Sequence, residues 1–326
     1  MDVNDKTNLS VIIPCYNSGN SIVEYLQKKQ RDHYQCLIEY VIIDDCSSDN
    51  SFNILTDYSD KTNLNVVVVK NRANMGPGYS RNIGLKISKC KFVTFMDSDD
   101  CFDDNFEEMV FPLLEQNYDC VVFDYYIQKG DKKTPQSIYI NGDRNAEPTV
   151  NSTLVFLLGS TWGKIYKRDI IIKNNINFLN QKRNEDLPFT KTAVSKCHSI
   201  YHINHPLYYY IQNSKSLMHN STLLDKQNAI NAFDAIDSNI NGFEVEKEAI
   251  FMHEYLYSTC LTALRDTTKQ KWEEYVDCVM KRHSINIDNK YFVRFPKKII
   301  LVVKMILKKR YFALKFIYLM KTKIMR

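Results

Sequence analysis

Glycine and proline are scarce, at nine and eight in 326 residues, so collagen-like and glycine-rich low-complexity sequence is excluded. No run of 18 strongly apolar residues occurs, and an ordinary membrane-spanning helix is not expected. The opening Met1–Lys6 has two acids before any apolar run, unlike a secretory leader, so the chain is expected to stay in the cytoplasm. There is no CxxC pair. Nine cysteines, at 15, 36, 46, 90, 101, 120, 197, 260 and 278, are dispersed and read as reduced thiols rather than a disulfide frame or a zinc site. The seven histidines form no ligand pattern, no GxGxxG fingerprint is present, and no internal repeat is found.

What is present is a chain that can bury a core. It is 44% hydrophobic and 25% charged, which excludes a wholly disordered protein and suits a domain and a half. The net charge of +5 is not spread evenly. Residues 297–326 hold ten Lys or Arg and no Asp or Glu, so the rest of the chain is net acidic. That is a polarised molecule, not a general polyanion binder, and no nucleic acid is expected as a partner.

The first 125 residues alternate between apolar β-rich runs and amphipathic stretches. The runs are Leu9–Cys15, Glu39–Ile43, Asn65–Val69, Lys91–Met96 and Cys120–Phe123; the stretches lie near 20–30, 49–59, 77–89 and 103–117. Near-continuous β-branched runs such as Val66–Val69 imply strands covered on both faces. The alternation predicts an open, Rossmann-like, mostly parallel α/β sheet with flanking helices. Residues 126–150 turn polar and predict a flexible loop. Helices are expected near 152–159, 168–174 and 184–195, and a helical C-terminal region follows a boundary near 220.

In such a sheet ligands bind beyond the carboxyl ends of the strands. The first strand ends in Pro14-Cys15-Tyr16-Asn17-Ser18-Gly19, where Tyr16 offers a stacking face and Asn17 an amide; a plain Asn/Gly turn reads equally well. The second ends in Asp44-Asp45-Cys46-Ser47-Ser48-Asp49. Ser48 or Asp49 can cap a helix. That leaves Asp44 and Asp45 unexplained, and a carboxylate there can accept the N3–H of a uracil. The third rim, Asn74-Met75-Gly76-Pro77-Gly78 with Arg81, suits close backbone approach to an anion at a helix start. The fourth is Phe95-Met96-Asp97-Ser98-Asp99-Asp100. Alternate carboxylates leaving a buried strand share a side, and their hard oxygens favour Mg²⁺ or Mn²⁺ with diphosphate oxygens completing the shell.

These four motifs, in this order over about 100 residues, resemble the family 2 glycosyltransferases of the GT-A fold, of the bacterial capsule, exopolysaccharide and O-antigen type. The resemblance implies nucleotide-sugar binding by Pro14, Tyr16, Asn17, Asp45, Asn74, Gly76, Arg81, Asp97 and Ser98, with Asp45 on the base. It implies Asp97 and Asp99 as the DXD metal site for Mn²⁺ or Mg²⁺. Thr161-Trp162-Gly163-Lys164 looks like an acceptor-side W-x-K segment, with Trp162 and Lys164 as acceptor-binding residues; a core role for Trp162 is equally consistent with its type. Asn184-Glu185-Asp186 looks like the ED motif, with Asp186 as base and Glu185 shaping the acceptor site. Leu207–Tyr210 followed by Ser214 and Ser216 resembles a later diphosphate segment, although Ile211 stands where many members have Arg. Past Ser221 no motif is identified.

The domain division expected is a glycosyltransferase domain over 1–220, with a nucleotide-sugar half to about 125 and an acceptor half over 126–220, then a helical region over 221–326. The implied chemistry is inverting, metal-dependent transfer of a hexosyl or N-acetylhexosaminyl group from a UDP-type sugar to a hydroxyl of a growing, lipid-linked glycan. A haloacid-dehalogenase-type phosphatase also uses a strand-terminal DxD, and a non-catalytic nucleotide-sugar-binding component of an assembly complex is the other alternative. The tail 297–326 mixes Ile, Leu, Val and Phe with cations. It predicts a basic amphipathic anchor on the inner face of the cell membrane, or a helix packed on the body or in a homodimer.

Overall fold

A computed structural model describes residues 8–30, 34–142, 145, 147–181, 183–212, 223–264, 268–283 and 285–324. It divides into two units. The first holds residues up to Val150 and Leu158–Asn220, and the second holds Asn151–Leu157 and the chain from Ser221 onward.

Among the described residues, nine strands of the first unit form one sheet. They are β1 (Leu9–Cys15), β2 (Ile38–Asp44), β3 (Asn65–Lys70), β4 (Phe92–Phe95), β5 (Cys101–Phe102), β6 (Cys120–Lys129), β7 (Lys132–Gln136), β8 (Lys164–Lys167) and β9 (Ile200–Ile211). The order is β3-β2-β1-β4-β8-β6-β9-β5, with β7 paired to β6. The β3-β2-β1-β4 half is parallel throughout, as the strand–helix alternation requires. Its crossovers carry α1 (Gly19–Lys29), α2 (Ser51–Ser59) and α3 (Pro77–Ile87). In the other half β8 runs antiparallel to both β4 and β6, while β6 and β9 are parallel. The helices of that half are α4 (Phe106–Glu115), α6 (Arg168–Lys173) and α7 (Asp186–Ser195), with α5 (Val150–Phe156) between them in chain order.

All seven residues of β1 and of β2 are buried, which is why their sequences read as unbroken apolar runs. β3 departs from that expectation: it is only half-buried because it forms the sheet edge, with a neighbour on one side. The flexible loop expected over 126–150 is also corrected. β6 continues to Lys129, turns at Gly130 (φ +55°) and returns as β7. Tyr125 and Tyr126 supply the strand propensity that the surrounding lysines obscure in the sequence, and Pro135 is tolerated because β7 pairs on one side.

The second unit is helical. α8 (Leu223–Asn239) and α9 (Glu244–Ile250) lead into a π-helical stretch, Phe251–Thr259, followed by α10 (Cys260–Ala263), α11 (Lys269–Met280), α12 (Lys297–Leu307) and α13 (Tyr311–Ile324). Its core includes Phe233, Phe251, Tyr255, Leu256 and Trp272, whose indole N–H donates to the Cys260 carbonyl at 2.8 Å. No helix among the described residues is long and apolar enough to cross a membrane.

Candidate active site

The carboxyl ends of β1, β2 and β4 and the start of α3 gather the residues quoted above, and each is held by a specific local device. At the end of β1 the chain enters a left-handed conformation at Asn17 (φ +54°), matched by Cys46 (φ +60°) after β2. Asn17 locks the two rims together. Its backbone N–H donates to Ser47 Oγ at 2.9 Å, its Oδ1 accepts from the Ser48 N–H at 2.9 Å, and its Nδ2 donates to Ser48 Oγ at 3.1 Å. Pro14 is buried inside β1, whereas Tyr16 stands 48% exposed beside this junction, free to offer a ring face.

Asp45, expected to read a base, has its carboxylate held by the neighbouring loop. Oδ1 accepts from Asn71 Nδ2 at 2.8 Å and from the Met75 N–H at 3.0 Å, and Oδ2 accepts from the Gly76 N–H at 2.7 Å. Buried and accepting three bonds, Asp45 is the post that folds the Asn71–Gly76 loop. Gly76 has φ +91°, a conformation an L side chain would strain, and it delivers the chain into α3. Asn74 is exposed on the loop that this bonding shapes. Asp44 is the complementary finding. It is 0% exposed, Oδ2 accepts from the Ser47 N–H at 3.1 Å, and Oδ1 has no hydrogen-bond partner among the described residues.

Arg81, one turn into α3, is the connector. Its Nη1 lies 2.9 Å from Glu185 Oε1 and its Nη2 lies 2.7 Å from Asp97 Oδ1. Burial alone would depress the guanidinium, but Asp97 and Glu185 more than offset it and hold it above its ordinary value. The close approach needs Gly78, because a Cβ there would meet Glu185 Cγ at 2.9 Å and the Leu179 carbonyl oxygen at 3.0 Å.

The fourth rim leaves β4 as Asp97-Ser98-Asp99-Asp100. Asp97 is partly exposed, Ser98 half-buried and Asp99 exposed. Asp100 turns inward instead. Its Oδ2 accepts from Tyr208 Oη at 2.7 Å and its Oδ1 from the Ile211 N–H at 2.8 Å. Burial and the Asp97 charge push Asp100 up to about 8. Tyr208 also accepts from the Asp97 N–H at 3.1 Å, so one phenol ties the turn to β9. Desolvation and Asp97 raise Asp99 as well. A carboxylate acting on its neighbour in this way is the setting in which a divalent ion would be stabilising. No group of three or more His, Cys, Asp or Glu able to hold a metal occurs among the described residues. Asp97 and Asp99 therefore fit a metal only as a two-carboxylate half-shell completed by ligand oxygens.

Asp186 begins α7, and its Oδ1 accepts from the Leu187 N–H at 2.9 Å. Burial first, then the neighbouring Glu185 charge, push it up to about 7 against the opposing pull of Arg81. Trp162 and Lys164, expected on the acceptor side, are both buried. Lys164 is fully buried, and its ammonium donates to Ser160 O at 2.8 Å, Ser160 Oγ at 3.0 Å and Trp162 O at 3.0 Å. It reaches no surface; it ties the Ser160–Trp162 turn, and burial lowers its pKa to about 7. Trp162 is 9% exposed and stacks on Tyr208 (4.9 Å, 7°) and Tyr210 (5.6 Å, 20°), so its ring forms part of an aromatic cluster.

Thr190 is a support that the sequence does not single out, and Tyr208, noted there only within the Leu207–Tyr210 segment, holds the Asp97–Asp100 turn. Thr190 Oγ1 donates toward Gly159 O (3.2 Å) and Ser160 O (3.1 Å), pinning the same turn from α7. Only the β5–β9 pairing and the α7 packing bring these groups into reach, and neither is visible as a spacing. Ser214 and Ser216 lie outside the described residues.

The chain is similar to several known glycosyltransferases. The chain is 31% identical over 206 residues to the poly(ribitol-phosphate) beta-N-acetylglucosaminyltransferase TarS of Staphylococcus aureus, covering 62% of this chain and 35% of TarS. It is 28% identical over 246 residues to a poly(ribitol-phosphate) beta-glucosyltransferase of Bacillus spizizenii, covering 73% and 38%. The chain thus spans little more than a third of these relatives. Residues 1–349 of S. aureus TarS, solved in complex with UDP-GlcNAc, superpose with TM-score 0.75 at 21% identity, over 97% of this chain and 92% of that one. The fold is accordingly the GT-A fold. A mannosyltransferase of Pyrobaculum calidifontis in complex with GDP-Man and Mn²⁺ gives TM-score 0.57 at 15% identity, over 97% and 88%. The model of glycosyl transferase family 2 matches residues 10–174, and the chain belongs to that family.

Proposed function

We propose that the chain is an inverting, metal-dependent glycosyltransferase acting at the inner face of the cell membrane. It moves a hexosyl or N-acetylhexosaminyl group from a UDP-sugar to a hydroxyl of a growing, lipid-linked surface polysaccharide. The observation that carries this reading is the Arg81 guanidinium, which joins Asp97 of the metal-type carboxylate pair to Glu185, the neighbour in sequence of the base Asp186. The UDP-GlcNAc complex of TarS supports the donor class, and the poly(ribitol-phosphate) transferases among the relatives support a polymer acceptor.

In this reading Tyr16, Asn17, Asn74, Gly76 and Ser98 line the nucleotide sugar, with Pro14 and Asp45 shaping the pocket behind them. Asp97 and Asp99 hold Mn²⁺ or Mg²⁺, which when bound offsets charge gathering on the leaving diphosphate. Asp186 takes the proton of the attacking hydroxyl, a role that suits a carboxylate pushed up to about 7. Glu185, held by Arg81, orients the acceptor. A thermal-shift screen of UDP-, GDP- and dTDP-sugars with and without Mn²⁺ tests the donor assignment. Metal-dependent stabilisation by a UDP-sugar is expected, and its absence with every UDP-sugar would remove that assignment.

A further inference from the structure

The last two described helices, α12 and α13, combine apolar exposure with charge of one sign. α12 buries Ile299, Val302, Val303 and Ile306 within its own unit. Its opposite side exposes Lys297, Leu301, Lys304 and Lys308, whose spacing of four, three and four places them on one stripe. In α13, Tyr311 and Leu314 are buried, while Phe312 and Phe316, one turn apart, are 73% and 65% exposed. Leu301 is 56% exposed and Val293, shortly before α12, 59%. Single exposed apolar side chains are ordinary on a protein surface. Here the four most exposed large hydrophobics among the described residues fall between positions 293 and 316.

The charge around them points to one kind of partner. From Lys297 to the end the chain has ten cations and no acid. Lys309 is taken up by Asp277 at 2.7 Å, and Lys269, whose ammonium lies 5.7 Å from the Phe312 ring centroid, is paired with Glu273 at 3.7 Å, so the free charge of the face rests on Lys297, Lys304 and Lys308. A packed protein interface would leave fewer lysines on the covering face, because lysine is depleted where side chains are fully desolvated. A lipid boundary accepts both features at once: rings and Leu enter among acyl chains while long cationic side chains reach the headgroup phosphates.

We infer that the exposed side of α12 and α13 is a docking face for an anionic lipid surface, entered by Leu301, Phe312 and Phe316 and held by Lys297, Lys304 and Lys308. The inference deepens the proposed membrane placement and is read out separately from sugar transfer. The test is co-sedimentation of the full chain with vesicles of phosphatidylcholine alone and of phosphatidylcholine mixed with phosphatidylglycerol, at low and high salt. The chain should sediment with the mixed vesicles at low salt and be released by high salt. Replacing three lysines together (Lys297→Gln, Lys304→Gln, Lys308→Gln) should weaken binding about a hundredfold. The pair Phe312→Ser and Phe316→Ser should weaken it by roughly tenfold or more. Release of nucleoside diphosphate from a UDP-sugar in solution should persist in both variants, which shows that they are folded. Undiminished vesicle binding by both variants would overturn the inference. So would a wild-type chain that ignores vesicles but self-associates through Phe312 and Phe316, which would assign the face to a second copy.

Discussion

Asp97 and Glu185, which lie on opposite sides of the β4–α7 stretch of chain, share one guanidinium: Arg81 bonds the first at 2.7 Å and the second at 2.9 Å. Removing Arg81 would leave Glu185, with 8% side-chain exposure, as an unpaired buried charge. Arg81→Met should therefore destabilise the fold by on the order of 3–5 kcal/mol. Arg81→Lys retains the charge but cannot reach both carboxylates with one planar fork. It should keep more of the stability than Arg81→Met and still lose transfer, as measured by thermal melts alongside nucleoside diphosphate release. Full activity in Arg81→Lys would show that the bridge is dispensable.

Asp186 gives a pH signature. With its carboxyl pushed up to about 7, the base is protonated and idle in acid, so kcat/KM should fall as pH drops through 7. Asp186→Asn should slow transfer by roughly 10²–10⁴-fold while leaving donor binding intact. Stability should move the other way. A carboxyl whose folded pKa is raised keeps its proton where the unfolded chain has lost it, so native stability falls as pH rises from about 4 to about 7. Asp186→Asn should escape that loss and melt higher than wild type at pH 8, with little difference at pH 4.

For the metal, chelation by EDTA should abolish transfer, and added Mn²⁺ or Mg²⁺ should restore it. Asp99 is exposed, and among the described residues its side chain holds no other element in place, so Asp99→Ala should keep the wild-type melting temperature without metal. The same variant should lose the stabilisation that metal and UDP-sugar give together. Retained metal-dependent stabilisation in Asp99→Ala would remove that residue from the site.

Lys164→Met leaves the Ser160 and Trp162 carbonyls without their buried donor, at a cost of about 1–3 kcal/mol. Because Lys164 is buried under the turn, the variant should melt lower but keep its donor affinity, read by UDP-sugar titration. Collapse of donor affinity at unchanged stability would instead make Lys164 a binding residue.

The legible part of the protein is the part whose chemistry is local. β1, β2 and the order of the four rims follow from runs of Val and Ile ending in Asp, Asn or Gly, because a parallel strand buried on both faces has no polar side to confuse the pattern. Asp97 and Asp99 stand out because an ordinary strand end does not account for them. Glu185 and Asp186 sit at a helix start where acids are ordinary, and only the resemblance to the ED motif points to them. The roles of Asp45, Lys164 and Trp162 were not legible. A carboxylate accepting from Met75 and Gly76, or an ammonium folded back on Ser160, is composed of backbone partners that a residue pattern does not display. β7 escaped because Lys132, Lys133 and Pro135 look like loop, and only pairing with Tyr125–Lys129 makes them a strand.

The most direct test of the central claim is nucleoside diphosphate release from a panel of UDP-sugars with Mn²⁺, comparing wild type with Asp186→Asn. The reading predicts release by wild type from at least one UDP-sugar and a fall of two orders of magnitude or more in Asp186→Asn, with donor binding preserved. Equal release by the two proteins, or none from any UDP-sugar by a folded wild-type chain, would contradict it.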